Sequence, residues 1–170
     1  MSDVNVFKDL SSIDVSDHLE SKNGLSYLSW MAAWAIVKDY DPMAVYIVHT
    51  DEVGNPYFTT EAGAFVRTTV IIKGQSLTEV LPVLDNNNKP QKKDAYTVKT
   101  KYKEIDVAPL NAFDINSAYK RCLVKNLAMH GLGAQVYIDG EGHGLDLEKG
   151  LSKVKAVPKK KTKKAGGSSF

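Results

Sequence analysis

The sequence predicts an α+β fold: an antiparallel β-meander of three to four strands packed against a long α-helix, with an N-terminal helix and a disordered basic tail. Three observations predict it. Strand-like segments run together between residues 44 and 84 instead of alternating with helices, which argues against βαβ units. The clearest of them, residues 64–73 (AFVRTTVIIK), has the period of two of a pleated strand. Val66, Thr68, Val70 and Ile72 share one face; Phe65, Arg67, Thr69, Ile71 and Lys73 share the other. Residues 113–133 (FDINSAYKRCLVKNLAMHGLG) have helical spacing instead, with Ile115, Ala118, Tyr119, Cys122 and Met129 on one side. Residues 1–150 form one domain, with a core at about 23–140, and 151–170 form the tail.

In chain order, residues 1–24 are polar and acidic, with apolar anchors at Val4, Phe7, Leu10 and Leu19; they read as an arm or edge segment. A helix follows, with Ser29 as N-cap and Trp30, Trp34 and Val37 in an i, i+4, i+7 stripe. Asp41-Pro42 ends it, because the residue before proline is pushed out of helical geometry. Both tryptophans read as core anchors rather than a base-stacking platform, since basic residues are missing beside them until Lys38. Strands are expected at 44–50, 56–60, 64–73 and 76–84, with turns at 52–56 and Gly74-Gln75. Pro82 marks an edge position or a bulge.

Residues 85–111 interrupt the pattern. Lys92, Lys93, Lys99, Lys101 and Lys103 are interleaved there with Tyr96 and Tyr102, as in a short strand with a cationic face. Lysines grip phosphate without reading sequence, and tyrosines stack on unpaired bases. A solvated hairpin kept soluble by its lysines accounts for the same composition, and both readings stand. In the long helix, Asp114 is the expected N-cap and Gly131 the terminator. Lys120, Arg121 and Lys125 project away from its apolar side, where Asn126 and His130 read as partners of buried backbone. Residues 134–138 read as a further strand, 139–144 as a glycine-rich loop, 145–157 as a short helix, and 159–170 as disordered low complexity.

Charge is unevenly placed. From Lys149 onward there are eight lysines and no acidic residue, so the remainder holds 14 basic against 20 acidic side chains. An acidic body confines any nucleic-acid surface to where cations gather. These places are the strand around Arg67, the segment 89–103, the long helix and the tail. The one cysteine excludes a disulfide framework, and the N-terminus lacks the features of a signal peptide. No run approaches a membrane span, and the expected location is cytoplasmic. Catalytic signatures are missing: there is no phosphate-binding GxxxxGK[ST] or GxGxxG motif, and the four histidines lack metal-ligand spacing, so no cofactor or metal is expected.

Three motifs, NGLSYLSWMAAWAIVK (23–38), LPVLDNNNKP (81–90) and FDINSAYKRCLVKNLAMHGLG, resemble the Sak-type single-strand annealing proteins of bacteriophages, in that family's order. More distantly, Ala64-Phe65-Val66-Arg67 and Lys120-Arg121 resemble the strand and helix of the eukaryotic RAD-type annealing mediator. The resemblance implies a homo-oligomer, ring or filament, that binds single-stranded DNA and anneals complementary strands without ATP during recombination. Its partners are then single-stranded DNA and the annealed duplex, with a host single-stranded DNA-binding protein as a candidate. The resemblance carries DNA contact onto Arg67, Lys120 and Arg121. Charge and placement add Lys73, Lys92, Lys93, Tyr96, Lys99, Lys101, Tyr102, Lys103 and Lys125. After Gly133 the sequence departs from the family pattern, and the tail does not match the acidic tails of single-stranded DNA-binding proteins.

Two other readings compete. Asp51, Glu52, Glu61 and Glu79 flank the strands and would serve a metal-dependent nuclease, which EDTA would silence. A scaffold acting through its basic tail would lose DNA binding when residues 158–170 are removed.

Overall fold

The computed structural model describes residues 4–22 and 25–139. The expected glycine-rich loop beyond Asp139, the helix at 145–157 and the basic tail lie outside the described residues. In chain order the elements are α1 (Val6–Ser11), a 3₁₀ turn (Ser16–His18), β1 (Leu19–Lys22), β2 (Leu25–Leu28) and α2 (Trp30–Tyr40). There follow β3 (Val45–Val48), β4 (Phe58–Thr60), β5 (Gly63–Ile72), β6 (Gln75–Pro82), β7 (Tyr96–Lys99), β8 (Glu104–Val107), α3 (Ala112–Met129) and α4 (Ala134–Asp139).

The clearest strand of the sequence, β5, is the central one of the sheet. β6 pairs antiparallel along its length, from Phe65↔Pro82 to Ile72↔Gln75. β3 and β4 must therefore share the other side of β5, one pairing with Thr68–Ile71 and the other with Gly63–Phe65. They act as one edge strand interrupted by the 49–57 loop. Asp51 holds that loop, its carboxylate accepting from the N–H groups of Val53 (3.0 Å) and Asn55 (2.8 Å) and from Asn55 Nδ2 (2.9 Å). The hydrogen bond from Asn55 leads the causes that hold the Asp51 carboxyl below its ordinary range. This carboxylate is thus committed to a turn. The β5–β6 connection is Lys73-Gly74, one residue earlier than expected, with φ of 48° and 81°. Two positive φ values match the right-handed twist of a tight hairpin. β6 is an edge strand, which accommodates Pro82.

Alternation also sets the layers. Val66, Val70 and Ile72 are fully buried beneath α3, while Arg67 on the opposite face is exposed beside Val45, Ile47 and Val80. α3 lies across β5 and β6. Its buried residues are Ala118, Tyr119, Cys122, Leu123, Val124, Asn126 and Leu127. Met129, expected on this side, is 46% exposed at the helix end.

The start of α3 corrects the expected cap. Asn111, not Asp114, is the N-cap: its Oδ1 accepts from Asp114 N at 3.0 Å, and its Nδ2 donates to Asp114 Oδ2 at 2.7 Å. Asp114 sits in the first turn and supports the cap reciprocally. The end agrees with expectation. Gly131 has φ +111°, its N–H reaches Ala128 O (3.0 Å), and Leu132 N–H reaches Leu127 O (3.0 Å). These paired bonds form a Schellman motif, which satisfies the last carbonyls of the helix. The chain then turns straight into α4, so the strand expected at 134–138 is a helix. Val136 of α4 is buried in the same core as Leu28.

The N-terminal segment is also more than an arm. Val6, Leu10 and Val15 are buried and join the core of α2, α3 and β5. Val4 and Phe7, named as anchors from sequence, are 61% and 40% exposed. In this six-residue helix the i, i+4 pair of Val6 and Leu10 faces inward, with Ser11 buried beside Leu10, while Phe7 falls on the outer side.

The polar residues of α3 read correctly as backbone partners. Asn126 Nδ2 donates to Thr68 O (3.1 Å) and Leu77 O (3.0 Å), tying the helix to both β5 and β6. His130 Nε2 bonds Val70 O at 3.1 Å. A carbonyl only accepts, so Nε2 carries the proton and Nδ1 is the bare nitrogen; it has no partner among the described residues. Burial pushes the His130 pKa below 6.5. The unfolded chain therefore binds a proton before the folded one does. Stability is complete above the unfolded value of about 6.5 and falls as pH drops from there toward the folded pKa, by at most about 1.4 kcal/mol per unit. Asp14, Asp41 and Asp51 have lowered pKa values, so their contributions fade only at more acid pH. Urea midpoints between pH 7 and 5 should fall for the wild type and stay level for His130→Gln, whose amide keeps the bond to Val70 without titrating.

Candidate nucleic-acid interface

The cations of α3 have no ion pair among the described residues, and they meet aromatic rings. Lys120, Arg121 and Lys125 line a cleft of about 260 Å³ whose other wall is the end of β2 and the start of α2. That wall supplies Tyr27, Leu28, Ser29 and Trp30; Tyr137 of α4 and Glu20 of β1 complete it. Helical spacing explains the first wall. Arg121 and Lys125 are one turn apart and Lys120 is their neighbour, so all three leave the helix on the side away from Cys122 and Asn126, which face the sheet. Strand pairing explains Glu20, which lies directly across from Tyr27 in the β1–β2 hairpin. Lys120 Nζ sits 3.8 Å from the centre of the Trp30 ring. Tyr27, Trp30 and Tyr137 are 42%, 39% and 52% exposed.

Both tryptophans were expected in the core, and the structure separates them. Trp34 is half-buried, its ring 6.0 Å from that of Tyr46. Trp30 opens onto the cleft. Sequence proximity hid this, because the cation that covers Trp30 comes from ninety positions along the chain. Tyr27 and Tyr137 were likewise missed. The available signal was the position of Trp30 at the first residue of a helix, ahead of the turns that pack on α3.

The remaining candidates do not join this cleft. Arg67 lies on the far face of the sheet, its guanidinium 4.7 Å from the Phe58 ring centre. The sheet itself therefore separates it from Lys120 and Arg121 within one chain. Lys73 is employed at its turn: its N–H donates to Asp41 Oδ2 at 2.6 Å, and its Nζ lies 4.0 Å from Asp41 Oδ1 and 5.4 Å from the Tyr40 ring. Asp41 is buried, and the Lys73 N–H is the first cause of its lowered pKa.

The 89–107 segment is a hairpin, but its face is not cationic. The strand ends at Lys99, and Lys99 and Thr97 stand opposite Glu104 and Asp106. Lys99 pairs with Glu104 at 3.2 Å and Thr97 Oγ1 donates to Asp106 Oδ1 at 2.9 Å, so this face is balanced. Lys101, Tyr102 and Lys103 gather at the tip, where Tyr102 is 88% exposed with Lys101 5.8 Å from its ring. Tyr96 is tied down by its hydroxyl, which donates to Pro90 O, and Lys92 lies 5.1 Å from its ring. Lys93 lies apart, on a small polar pocket with Asp51, Asn55 and Tyr57.

Among the described residues, no cluster of three His, Cys, Asp or Glu is placed to hold a metal ion. Cys122 is fully buried, 3.2 Å from Thr68 Oγ1, and burial pushes its thiol pKa up. A nucleophile needs the opposite: exposure and a stabilised thiolate.

A family model, Sak Single Strand Annealing Protein, matches residues 5–166. The chain belongs to the Sak single-strand annealing family. No curated protein and no solved structure gave a match. Two of the three motifs that carry the Sak resemblance face each other in the fold. Tyr27–Trp30 comes from the first and Lys120–Lys125 from the third, and together they form most of the cleft. The remaining motif, 81–90, closes the end of β6, where Leu84 bridges Pro90. Sak membership supports single-strand annealing, DNA binding and recombination as the setting of this chain. No helix among the described residues is long and apolar enough to cross a membrane.

Proposed function

We propose that this chain binds single-stranded DNA in the α3 cleft and anneals complementary strands as a homo-oligomer, without a nucleotide fuel and without a catalytic step. The observation that carries this reading is the meeting of three cations, without ion pairs among the described residues, with three exposed aromatic rings. Cations attract the phosphates of a strand by releasing its counterions, and aromatic rings accept unpaired bases. Complementary strands repel through their phosphates; a cation-lined path lowers that repulsion while leaving the bases to find partners. Glu20 repels phosphate from the hairpin wall, so the backbone runs along the α3 wall with its bases toward the rings.

Arg67 fits this reading through assembly. The sheet keeps it from the cleft of its own chain, so it meets the same strand only across a subunit boundary or in a second binding site. Lys101, Tyr102 and Lys103 at the hairpin tip are further contacts, and a host single-stranded DNA-binding protein is a candidate partner.

The test is annealing of two complementary oligonucleotides with neither ATP nor metal. Duplex formation should be faster than in protein-free solution, and the acceleration should fade as salt rises. No acceleration at any protein concentration would reject the proposal.

A further inference from the structure

The contact between Lys120 and Trp30 has a chemical consequence. A cation seated over an indole occupies the same π-face that a nucleobase would use. The cation at 3.8 Å therefore blocks stacking as long as it stays there. Lys120 has no carboxylate partner among the described residues and its ammonium sits on the indole, so a phosphate competes with the ring for it directly. Arg121 and Lys125 lie in the same cleft to bring that phosphate in. Trp30 is 39% exposed, so the indole is reachable once the ammonium leaves. Trp34 is arranged differently: its ring packs on Tyr46, and the lysine near it, Lys38 at 6.0 Å, is held by the carbonyls of Pro42 and Ala44 and not left to a phosphate.

We propose that Trp30 is a base-stacking residue gated by Lys120: a strand phosphate draws the ammonium off the indole, and an unpaired base takes the vacated face. This rests on the reading of the cleft as the DNA site and adds a selection rule to it. Only a strand that offers a phosphate and a free base together completes the exchange. A paired base is stacked in its duplex and does not, so Lys120 returns to the indole when annealing is finished. The gate thereby favours single strands over the duplex product.

The experiment uses the full chain with Trp34→Phe, which leaves Trp30 as the sole tryptophan, and two probes of equal length: an oligothymidylate and an abasic strand with the same phosphates. The oligothymidylate should quench Trp30 fluorescence and the abasic strand should not. Trp30→Leu should weaken oligothymidylate binding about tenfold, leave abasic binding within twofold, and keep the salt dependence of both. Trp30→Phe, which retains a ring, should recover most of the preference for bases. Equal quenching by both probes, or equal weakening of both by Trp30→Leu, overturns the gate while leaving the DNA site in place. If the wild type binds neither probe, the DNA site and the gate fall together. Should Trp30→Leu fail to fold by circular dichroism, the quenching comparison decides alone.

Discussion

Replacing Lys120 and Arg121 together with glutamate should lower affinity for single-stranded DNA on the order of 10- to 100-fold near 0.1 M salt, and flatten the plot of log affinity against log salt by about 1.4. The magnitude follows from counterion release, at about 0.7 per phosphate neutralised on a single strand. On the proposed reading two phosphate contacts per chain are lost, and the reversed charges add repulsion. The fold should survive, because Arg121 is exposed, Lys120 is half-buried on the cleft wall with its ammonium over Trp30, and neither has an ion pair among the described residues. Filter binding or fluorescence anisotropy across a salt series, with circular dichroism as the control, measures both effects. A folded double variant with unchanged affinity and slope would remove α3 from the DNA surface. The same substitution at Lys73 should do less, since that lysine is already engaged with Asp41 and Tyr40. Charge reversal there also acts on a buried carboxylate, so any loss should appear in stability as well as in binding.

Gly131→Ala should destabilise the chain by about 3–5 kcal/mol, read as a drop in the urea midpoint. Two costs add. At φ +111° an L side chain is strained in any surroundings. The new Cβ would also stand 2.4 Å from the carbonyl oxygen of Phe7 and 3.1 Å from its Cα, both backbone atoms that cannot rotate away. Either the Schellman turn opens or α1 is pushed off, and α1 carries Val6 and Leu10 into the main core. A glycine with positive φ but open surroundings gives the control: at Gly74 a Cβ would meet nothing within 4 Å, so Gly74→Ala should pay the conformational cost alone. A Gly131→Ala loss no larger than that of Gly74→Ala would show that the approach to Phe7 relaxes freely.

How much of this was legible beforehand depends on how far apart the deciding residues lie. The strand β5 announced itself through its period of two and its β-branched residues, and the same period separated the buried Val66, Val70 and Ile72 from the exposed Arg67, although Thr69 on the Arg67 face is also buried. Gly131 announced the end of α3, since few residues other than glycine take its backbone angles. Asn126 and His130 were legible as backbone partners because polar groups on an apolar stripe must bond to something. The errors were local competitions with more than one solution. Asn111 and Asp114 are both good caps, and the structure uses one as the cap and the other as its support. Residues 134–138 suit a strand by composition, but the turn at Gly131 places them against β2. The cationic face expected at 96–103 was cancelled by Glu104 and Asp106, whose effect depends on hairpin register.

By itself, then, the sequence determined the α+β class, the existence of the strand at 64–73, the long helix and its glycine stop, and through three motifs the family. These are properties of chain-local periodicity, of backbone angles and of motif order, and none needs a third dimension. The tertiary structure alone decided which cations stand together. It set Lys120, Arg121 and Lys125 opposite Tyr27 and Trp30, put Arg67 behind the sheet, and bound Lys73 to Asp41. A phosphate responds to charge within a Debye length of about 8–10 Å, and that neighbourhood is assembled from segments ninety residues apart.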